Sequence, residues 1–326
     1  MNTEILTAMK AMAIDEFGGL EELKTQELQV PDIGPDQVLI RVKSAGVGKW
    51  DLGEREGMFA RMTSSNPVFP DILGFEGAGT VAAVGSGVQH VQEGDEVFGI
   101  ITARSSGGGF YAEYAAVDGN RVWKVPGKLT TLQAGALPID GATALRGLRD
   151  VLQLQRGESL LIFGASGGIG HMAIQLAKQM GARVFAVASG EDGVALARRL
   201  GSDKVVDGHA EDIVAAAREF APDGPDAALL TAGGEQAEQS LAAVKEGGRA
   251  AYPNGVQPVP EAPSHVDLQS FSANYDTELL EHLIDMINTA DDFEVHVSHT
   301  FSLDQAKEAH RMIGKHYLGR IALEVG

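Results

Sequence analysis

The sequence contains no cysteine among its 326 residues. Disulfide bonds, thiolate nucleophiles and cysteine-ligated metals are therefore excluded. Long apolar segments are also missing, since no run approaches the roughly 20 residues that a membrane-spanning helix needs. Residues 1–10 lack the apolar core of a signal peptide, so we expect a cytoplasmic protein without a membrane partner.

Positive charge is scarce as well: 26 Lys and Arg residues stand against 45 Asp and Glu residues, for a formal net charge of −19. Such a protein repels phosphate backbones, so we expect no nucleic-acid partner. Aromatic residues make up only 6%, whereas a hydrophobic fraction of 44% and 41 glycines indicate a folded core with many tight turns. The length corresponds to about two domains of roughly 150 residues.

The first 125 residues are rich in predicted β-strands. Residues 37–43 alternate apolar and polar side chains, and residues 77–84 and 96–101 form further strand-like stretches next to glycine turns. Short strands at short intervals predict a small barrel or a folded sheet. Residues 1–8 precede the first predicted strand at 9–14, and we expect them to be disordered.

From about residue 130, strands and helices alternate. A helical stretch at 132–152 is interrupted near Pro138 and Gly141. Continuous apolar strands then follow at 159–163, 183–188, 204–206, 227–230 and 249–252, separated by helices at 169–180, 193–200, 213–220 and 235–244. This alternation is typical of a parallel, doubly wound α/β sheet. Near the C-terminus we predict helices at 279–287 and 303–313 and a strand at 320–325.

A glycine-rich turn, Gly164-Ala-Ser-Gly-Gly-Ile-Gly170, lies between the predicted strand 159–163 and the helix that follows it. Glycines permit the tight turn and let a pyrophosphate approach the backbone, while free N–H groups at the helix start point at its phosphates. An ordinary glycine-rich loop without a ligand is the alternative. The strand-to-helix context favours a dinucleotide site.

The end of the second strand of this region bears on which dinucleotide binds. An NAD site usually has Asp or Glu there to bond the ribose 2′-hydroxyl. Here the strand ends in Ser189 and Gly190, and Glu191 and Asp192 come one or two positions late. A hydroxyl and a glycine leave room for a 2′-phosphate, although no Lys or Arg follows immediately. We therefore predict NADPH rather than NADH; the alternative is that Ser189 only caps the next helix.

Several segments together resemble a known family. They are residues 9–19, 73–88, 93–99, 109–114, 136–138, 141–144, the glycine turn, 247–249 and 319–321. Their order is similar to that of the medium-chain dehydrogenase/reductase superfamily, and most closely resembles its zinc-independent quinone oxidoreductase (zeta-crystallin-like) branch. The resemblance implies a Rossmann doubly wound parallel sheet inserted into a GroES-like, β-rich substrate domain, with a cleft between the two.

The resemblance also implies domain boundaries and a partner. We expect a GroES-like substrate domain at 1–124, a Rossmann dinucleotide-binding domain at 125–262 and a C-terminal return at 263–326. The return would place a helix on the Rossmann domain and then strands that complete the substrate domain. Family members often pair through their Rossmann domains, so we expect a homodimer that acts on a small-molecule substrate.

Cofactor contacts are implied position by position. They fall in the glycine turn, near the adenosine phosphate and on the nicotinamide side of the cofactor. On the nicotinamide side, the backbone of Phe271 is expected to contact the carboxamide. The predicted cofactor-binding residues are Thr143, Ser166, Gly167, Gly168, Ile169, Ser189, Gly190, Thr231, Ala232, Tyr252, Pro253, Asn254 and Phe271.

Two departures from the family pattern bear on the chemistry. Zinc-dependent members use a cysteine near position 48, a His-Glu pair and further cysteines, whereas this chain has Phe75-Glu76 and no cysteine. Glu76 alone cannot hold a catalytic zinc, which needs about three protein ligands, so we expect no metal. Many quinone oxidoreductase-like members also have Asn after Ala-Gly-Val, to polarise the substrate, and this chain has Gly48 there.

Three consecutive residues are the catalytic candidates. Lys49 is the nearest proton donor that the resemblance places at the substrate, with a solvated surface lysine as the alternative. Trp50 is expected to line the cleft, with core packing as a near-equal alternative, and Asp51 completes the motif. We interpret Tyr111 and Tyr114 as packing residues.

Other chemistries fit the sequence less well. His296 and His299 lack a nearby carboxylate cluster that would indicate a metal, and Ser166 is not in the Gly-x-Ser-x-Gly elbow of a hydrolase. We therefore predict a zinc-independent, NADPH-dependent oxidoreductase that transfers hydride to a quinone or an α,β-unsaturated carbonyl. The alternatives are a non-catalytic NADPH-binding redox sensor or structural protein and, third, a zinc alcohol dehydrogenase.

Overall fold

The structure is a computed structural model that describes residues 6–63, 67–102 and 108–326. In these ranges the β-strands are β1 (Ala8–Ile14), β2 (Lys24–Gln29), β3 (Gln37–Val47), β4 (Asp71–Ile72), β5 (Glu76–Val84), β6 (Glu96–Ile100), β7 (Tyr114–Asp118), β8 (Val122–Lys124), β9 (Ser159–Phe163), β10 (Arg183–Ala188), β11 (Lys204–Asp207), β12 (Ala227–Leu230), β13 (Gly248–Pro253), β14 (Val266–Phe271), β15 (Val297–Ser302) and β16 (Arg320–Glu324). The α-helices are α1 (Lys49–Arg55), α2 (Met58–Thr63), α3 (Thr131–Gly135), α4 (Pro138–Arg146), α5 (Gly168–Gln179), α6 (Gly190–Arg199), α7 (Ile213–Phe220), α8 (Glu235–Ala242), α9 (Thr277–Thr289) and α10 (Ala306–Met312). A π-helical turn, Gly147–Val151, continues α4.

Two compact units divide the chain. The first unit comprises residues 1–138 and 297–326, and the second unit comprises residues 139–296. Within the described part of both units, no helix is long and apolar enough to cross a membrane.

The first unit is built on two β-sheets. In one, β1 pairs antiparallel with β2 and β4. In the other, the described strands follow the order β15-β16-β3-β5-β6-β8, and β7 also pairs with β3. Buried side chains of β1 and β3, such as Met12, Ile40 and Val42, share one apolar core with Leu323 of β16. The C-terminal strand thus completes a sheet begun near the N-terminus, in agreement with the predicted GroES-like domain that is interrupted by an insertion.

The second unit is described without gaps, and its six strands form one sheet in the order β11-β10-β9-β12-β13-β14. All of its strand pairs are parallel. Continuous apolar strands suit a sheet buried on both faces, and the consecutive residues Leu160, Leu161 and Ile162 of β9 are all 0% exposed. Leu161 shares a core with Ile213 of α7 and Leu241 of α8. The predicted Rossmann doubly wound sheet is confirmed.

The unit boundaries lie later in the chain than those predicted at 124/125 and 262/263. Helix α3 stays with the first unit because the Ser44 hydroxyl donates to the Thr131 carbonyl at 2.8 Å. Helix α9 belongs to the second unit and buries Leu283 and Ile287, which delays the return of the chain to residue 297. Of residues 1–8, predicted to be disordered, 1–5 lie outside the described residues, whereas Ala8 pairs with Gln29 in β1.

Candidate functional site

The carboxyl ends of the parallel strands bring the predicted cofactor residues to one edge of the second unit. Phe163 at the end of β9 pairs with Val187 of β10 on one side and with Leu230 of β12 on the other. The segments that follow these three strands therefore start side by side. In open α/β sheets, ligands bind at this edge, where the strand order reverses.

The glycine turn takes a shape that needs glycine. Gly164 has φ +78°, a left-handed conformation that a residue with a Cβ adopts at a cost. The hydroxyl of Thr231 donates to this region, lying 3.0 Å from the Phe163 carbonyl oxygen and 3.1 Å from that of Gly164. Thr231, predicted to line the nicotinamide side, thus holds the turn against β12.

Helix α5 starts with a backbone open to an anion. Gly167 is its N-cap residue and, in this gap-free part of the chain, no side chain caps the first turn. A Cβ built on Gly167 would contact only the Gly164 carbonyl oxygen, at 3.4 Å, so the space beside it is open. A Cβ on Gly170 would instead lie 2.7 Å from the Ala165 Cα. Because uncapped N–H groups and the helix dipole favour phosphate, the turn fits a dinucleotide pyrophosphate.

The end of β10 presents the predicted adenosine-side residues. Ser189 is the N-cap residue of α6, yet in the gap-free second unit its hydroxyl makes no capping bond to that helix. The alternative role of Ser189 as a helix cap is therefore not realised. Gly190 begins α6 with φ +75°, which makes glycine the suitable residue there.

One nearby residue was not among those predicted. The β10–β11 register pairs Ala188 with Asp207, and the Gly208 N–H donates to the Ala188 carbonyl at 2.9 Å. The loops that follow β10 and β11 therefore start side by side, with Ser189 in one and the exposed His209 in the other. The sequence signal that could have identified it is a histidine two positions after the third strand, whose ring nitrogens can bond a phosphate where no Lys or Arg follows.

The ends of β13 and β14 carry the predicted nicotinamide-side residues. Pro253 pairs with Phe271, and the exposed Asn254 donates its N–H to the Phe271 carbonyl at 2.7 Å. The Asn254 side chain also donates to the Ser272 hydroxyl at 2.8 Å. These bonds fix the two loops to each other at the carboxyl edge.

The remaining predicted residues of the second unit differ in exposure. Ser166 and Thr143 are buried, Ile169 and Tyr252 are half-buried, and Ala232 is exposed. The Thr143 hydroxyl donates to the Ile139 carbonyl at 2.6 Å within α4, so its remaining capacity is that of an acceptor.

In the first unit, the three catalytic candidates open α1 and differ sharply in exposure. Lys49 is exposed and Trp50 is half-buried, whereas Asp51 is fully buried. The Asp51 carboxylate accepts the backbone N–H of Gly48 at 2.8 Å and that of Phe75 at 3.3 Å. Asp51 therefore fixes the start of α1 to the segment before β5, which is a positioning role.

Glu76 and Arg320 form an ion pair in the interior of the first unit. Glu76 is 0% and Arg320 3% exposed, and the guanidinium also donates from Nε to the Ala136 carbonyl at 3.0 Å. The Arg320 guanidinium carbon lies 5.0 Å from the centre of the Trp50 ring. The Glu76 carboxylate, which stands where the resemblance would place a His-Glu pair, is thus paired with an arginine.

Tyr111 and Tyr114 are both buried, as expected of packing residues. Burial, reinforced by the nearby Asp51 carboxylate, raises the pKa of the Tyr111 hydroxyl well above its usual range. The phenol therefore stays protonated at neutral pH.

The described residues offer no donor set for a metal: across 6–63, 67–102 and 108–326, no three His, Cys, Asp or Glu side chains are grouped for one. His296 binds the Glu294 carboxylate through Nδ1 at 2.9 Å, and the Ser298 hydroxyl lies 3.1 Å from His299 Nδ1. These two histidines therefore have local partners within their own segment.

Two protein-family models match the chain. The model described as "Alcohol dehydrogenase GroES-like domain" matches residues 34–127, and that described as "Zinc-binding dehydrogenase" matches residues 168–274. The first match lies in the first unit and the second in the second unit.

The curated relatives that the chain matches include oxidoreductases. A quinone oxidoreductase of Pongo abelii is 38% identical over 186 residues, which span 57% of this chain and 54% of that protein. A 2-methylene-furan-3-one reductase of Solanum lycopersicum is 36% identical over 250 residues, spanning 75% of this chain and 62% of that protein. The chain thus spans little more than half of the length of such relatives.

Solved structures resemble nearly the whole chain. An alcohol dehydrogenase superfamily protein from Novosphingobium aromaticivorans is 30% identical, covers 98% of this chain and 100% of its own, and has a TM-score of 0.83. A quinone oxidoreductase from Coxiella burnetii is 29% identical with the same coverage and a TM-score of 0.82. A mycobacterial protein complexed with NADPH is 26% identical, covers 97% of this chain and 99% of its own, and has a TM-score of 0.80.

Proposed function

Because this chain belongs to the quinone oxidoreductase branch of the medium-chain dehydrogenase/reductase superfamily, we propose that it is an NADPH-dependent oxidoreductase that transfers hydride to a quinone or an α,β-unsaturated carbonyl. The observation that carries this proposal is the carboxyl edge of the second unit, where the glycine turn, the uncapped start of α5 and the Ser189–Gly190 pair lie together. The names of the relatives, quinone oxidoreductase and 2-methylene-furan-3-one reductase, support both substrate classes.

NADPH, when bound, would supply the hydride. The backbone N–H groups of Gly168 and Ile169 would bind its pyrophosphate, and Gly167 would leave the approach open. The free hydroxyl of Ser189 and a ring N–H of the His209 imidazole would bind the 2′-phosphate. The NADPH complex of a structural relative supports this choice of cofactor.

We propose that the reaction needs no zinc. The chain has no cysteine, and the buried Glu76 carboxylate is paired with Arg320, so it is not available as one of about three protein ligands. The Arg320 guanidinium that pairs with Glu76 instead lies over the Trp50 ring, 5.0 Å from its centre. Activity that survives prolonged chelation, in protein shown to be free of metal, is the expected result.

In the first unit we propose that Trp50 contacts the substrate and that Lys49 donates the proton. Addition of hydride to a quinone or enone leaves a negative charge on oxygen, and one proton completes the two-electron reduction. Lys49 is exposed at the first position of α1, so it can exchange protons with water. Solvent is the competing donor; a Lys49→Met variant with an unchanged pH profile of kcat would favour it.

We also propose a cytoplasmic homodimer. Strand β14 forms one edge of the six-stranded sheet, and an edge strand presents backbone groups to which another chain can pair. Light scattering after size-exclusion chromatography tests the assembly: a mass of two chains supports it and a mass of one chain contradicts it.

The decisive test is NADPH oxidation with 1,4-benzoquinone and with simple enones, followed to the reduced product, with NADH in parallel. Reduction of either substrate class supports the proposal, and the product identifies which one. Tight NADPH binding without oxidation would instead support the redox-sensor or structural role. The absence of a polar side chain at Gly48 is the observation that favours this second candidate.

A further inference from the structure

A buried histidine in the second unit joins the glycine turn to the segment through which the chain leaves that unit. His171 lies in α5 and is 0% exposed. Its Nδ1 lies 2.9 Å from the Gly167 carbonyl oxygen, and its Nε2 lies 3.1 Å from the backbone nitrogen of His296. One side chain therefore contacts both the N-cap residue of α5 and the last residue of the unit.

These two partners determine the tautomer of the ring. A carbonyl oxygen only accepts, so Nδ1 of His171 carries the hydrogen. A backbone N–H only donates, so Nε2 is the unprotonated acceptor for His296. The neutral Nδ1–H form is thus the one that makes both bonds.

The bond from His171 to the Gly167 carbonyl fixes the orientation of a backbone N–H that the phosphate would contact. The Gly167 carbonyl accepts the Nδ1–H of His171 and also its backbone N–H, at 3.0 Å. The peptide unit is planar and trans, so fixing this carbonyl also fixes the N–H of Gly168, which points the opposite way. That N–H is one of the uncapped donors at the start of α5.

The second partner of His171 lies in the segment 294–296, which is also bonded to α5 through its backbone. Gln175 donates to the Glu294 carbonyl at 2.8 Å and accepts the Glu294 N–H at 2.8 Å. Burial opposes ionisation of Glu294, but the Arg199 guanidinium and His296 lower the pKa of its carboxyl below the usual range. The next residue, Val297, begins the return to the first unit.

We infer that His171 is a positioning residue that couples ligand binding at the glycine turn to the order of segment 294–296. Its Nδ1–H holds the turn in the conformation that presents the Gly168 N–H, and its Nε2 passes this restraint to His296. The inference rests on the proposed function, since it takes a dinucleotide as the ligand of the turn.

Two substitutions separate the two bonds of the ring. In His171→Asn, the amide nitrogen takes the place of Nδ1, so the bond to Gly167 is kept and the bond to His296 is lost. In His171→Gln, the amide oxygen reaches the place of Nε2, so the bond to His296 is kept and the bond to Gly167 is lost. Gln175→Met is the matched control, because it loosens the same segment from the same helix without a bond to the turn.

The experiment measures the Kd for NADPH and the hydrogen–deuterium exchange of the amides of residues 294–297, with and without NADPH. In the wild type, we expect NADPH to slow this exchange about tenfold, which corresponds to about 1.4 kcal/mol. His171→Asn should bind NADPH within about twofold of wild type but lose the slowing, whereas His171→Gln should weaken binding about tenfold. Gln175→Met should raise exchange with and without NADPH and leave Kd unchanged.

Each outcome has one meaning. If wild type binds NADPH and exchange at 294–297 does not respond, or if His171→Asn retains the full response, the coupling is overturned. If the wild type fails to bind NADPH, the proposed function fails. Exchange without ligand then still tests the bond between His171 and His296, because His171→Asn must accelerate exchange of the His296 amide. An exchange rate equal to that of the wild type would overturn the inference. Circular dichroism and thermal melting establish that each variant is folded.

Discussion

The indole of Trp50 fills the space that a side chain at position 48 would need. A Cβ built on Gly48 would lie 2.6 Å from Cη2 of Trp50, well inside van der Waals contact. The other contacts of the ring include the Arg320 guanidinium, 5.0 Å from its centre, which is held by the buried Glu76. Glycine at position 48 is thus a condition for the observed place of Trp50, and not only the loss of a polar group.

The first prediction concerns this pair. Gly48→Ala should lower the free energy of unfolding by about 2 kcal/mol, because an added methyl group overpacks the site. Trp50→Leu removes the clashing ring, so the double variant Gly48→Ala/Trp50→Leu should be more stable than the sum of the two single effects implies. Urea unfolding of the four proteins measures this. Additive effects would show that the two residues do not compete for the same space.

The second prediction compares two glycines of one turn. Gly167→Val should reduce NADPH affinity about 100-fold, since its side chain would enter the open space where the pyrophosphate is expected. The same variant should lose about 1 kcal/mol of unfolding free energy, because valine is a poorer N-cap residue than glycine. Gly170→Ala should destabilise the protein more, by about 2–3 kcal/mol, because its Cβ would overlap the backbone of Ala165. Isothermal titration and thermal melting separate the two effects; undiminished NADPH binding by Gly167→Val would contradict the assignment of the turn.

Hydrophobic periodicity predicted much of the second unit, and some of its elements in full. Strand β12, strand β10 and helix α7 have the bounds that their apolar runs predicted. Buried parallel strands are continuous apolar runs, and their short length and flanking glycines distinguish them from buried helices. Edge strand β14 was not predicted, because its exposed positions Asp267, Gln269 and Ser270 interrupt the apolar pattern.

Helix α1 and the site around it were harder to predict for a different reason. The helix Lys49–Arg55 is short, and its start is fixed by Asp51, whose partner Phe75 is 24 residues away. The Glu76–Arg320 pair spans 244 residues. Such pairings depend on the folded sheet, so a single sequence shows the residue types but not their partners. The glycine turn could be predicted because its strand, turn and helix are contiguous.

The third prediction concerns cofactor choice. Ser189→Asp should shift the preference from NADPH toward NADH, because a carboxylate at the end of β10 repels a 2′-phosphate and bonds a 2′-hydroxyl. Ser189→Ala is the matched control, since it removes the hydroxyl without adding charge. The ratio of the Kd values for NADPH and NADH is the measurement. We expect the ratio to change at least about tenfold for Asp, and an unchanged ratio would mean that Ser189 lies away from the phosphate.

The fourth prediction is a loss of stability in mild acid that originates in the first unit. Burial, with the positive charge of Arg55 beside it, lowers the pKa of His310 from 6.5 to about 3. Arg55 donates to Nδ1 at 3.1 Å, so the neutral ring carries its hydrogen on Nε2, which has no hydrogen-bond partner among the described residues. Below pH 6.5 the unfolded chain binds a proton that the folded chain does not. The free energy of unfolding is therefore not reduced by this group above pH 6.5, and it decreases as the pH falls from 6.5 toward 3.

Each pH unit in this window should cost about 1.4 kcal/mol of unfolding free energy. Urea unfolding between pH 7 and pH 5 isolates His310 from Asp226: burial opposes the ionisation of Asp226, but Lys245 and Ser159 lower the pKa of its carboxyl to about 2, so its contribution falls only below pH 4. The control is His310→Asn, whose amide oxygen can replace Nδ1 as the acceptor for Arg55 but does not titrate. In this variant, the slope of the unfolding free energy against pH should be smaller by the contribution of one proton, about 1.4 kcal/mol per pH unit. An equal slope in both proteins would assign the acid sensitivity to another group, whatever the absolute stability of the variant.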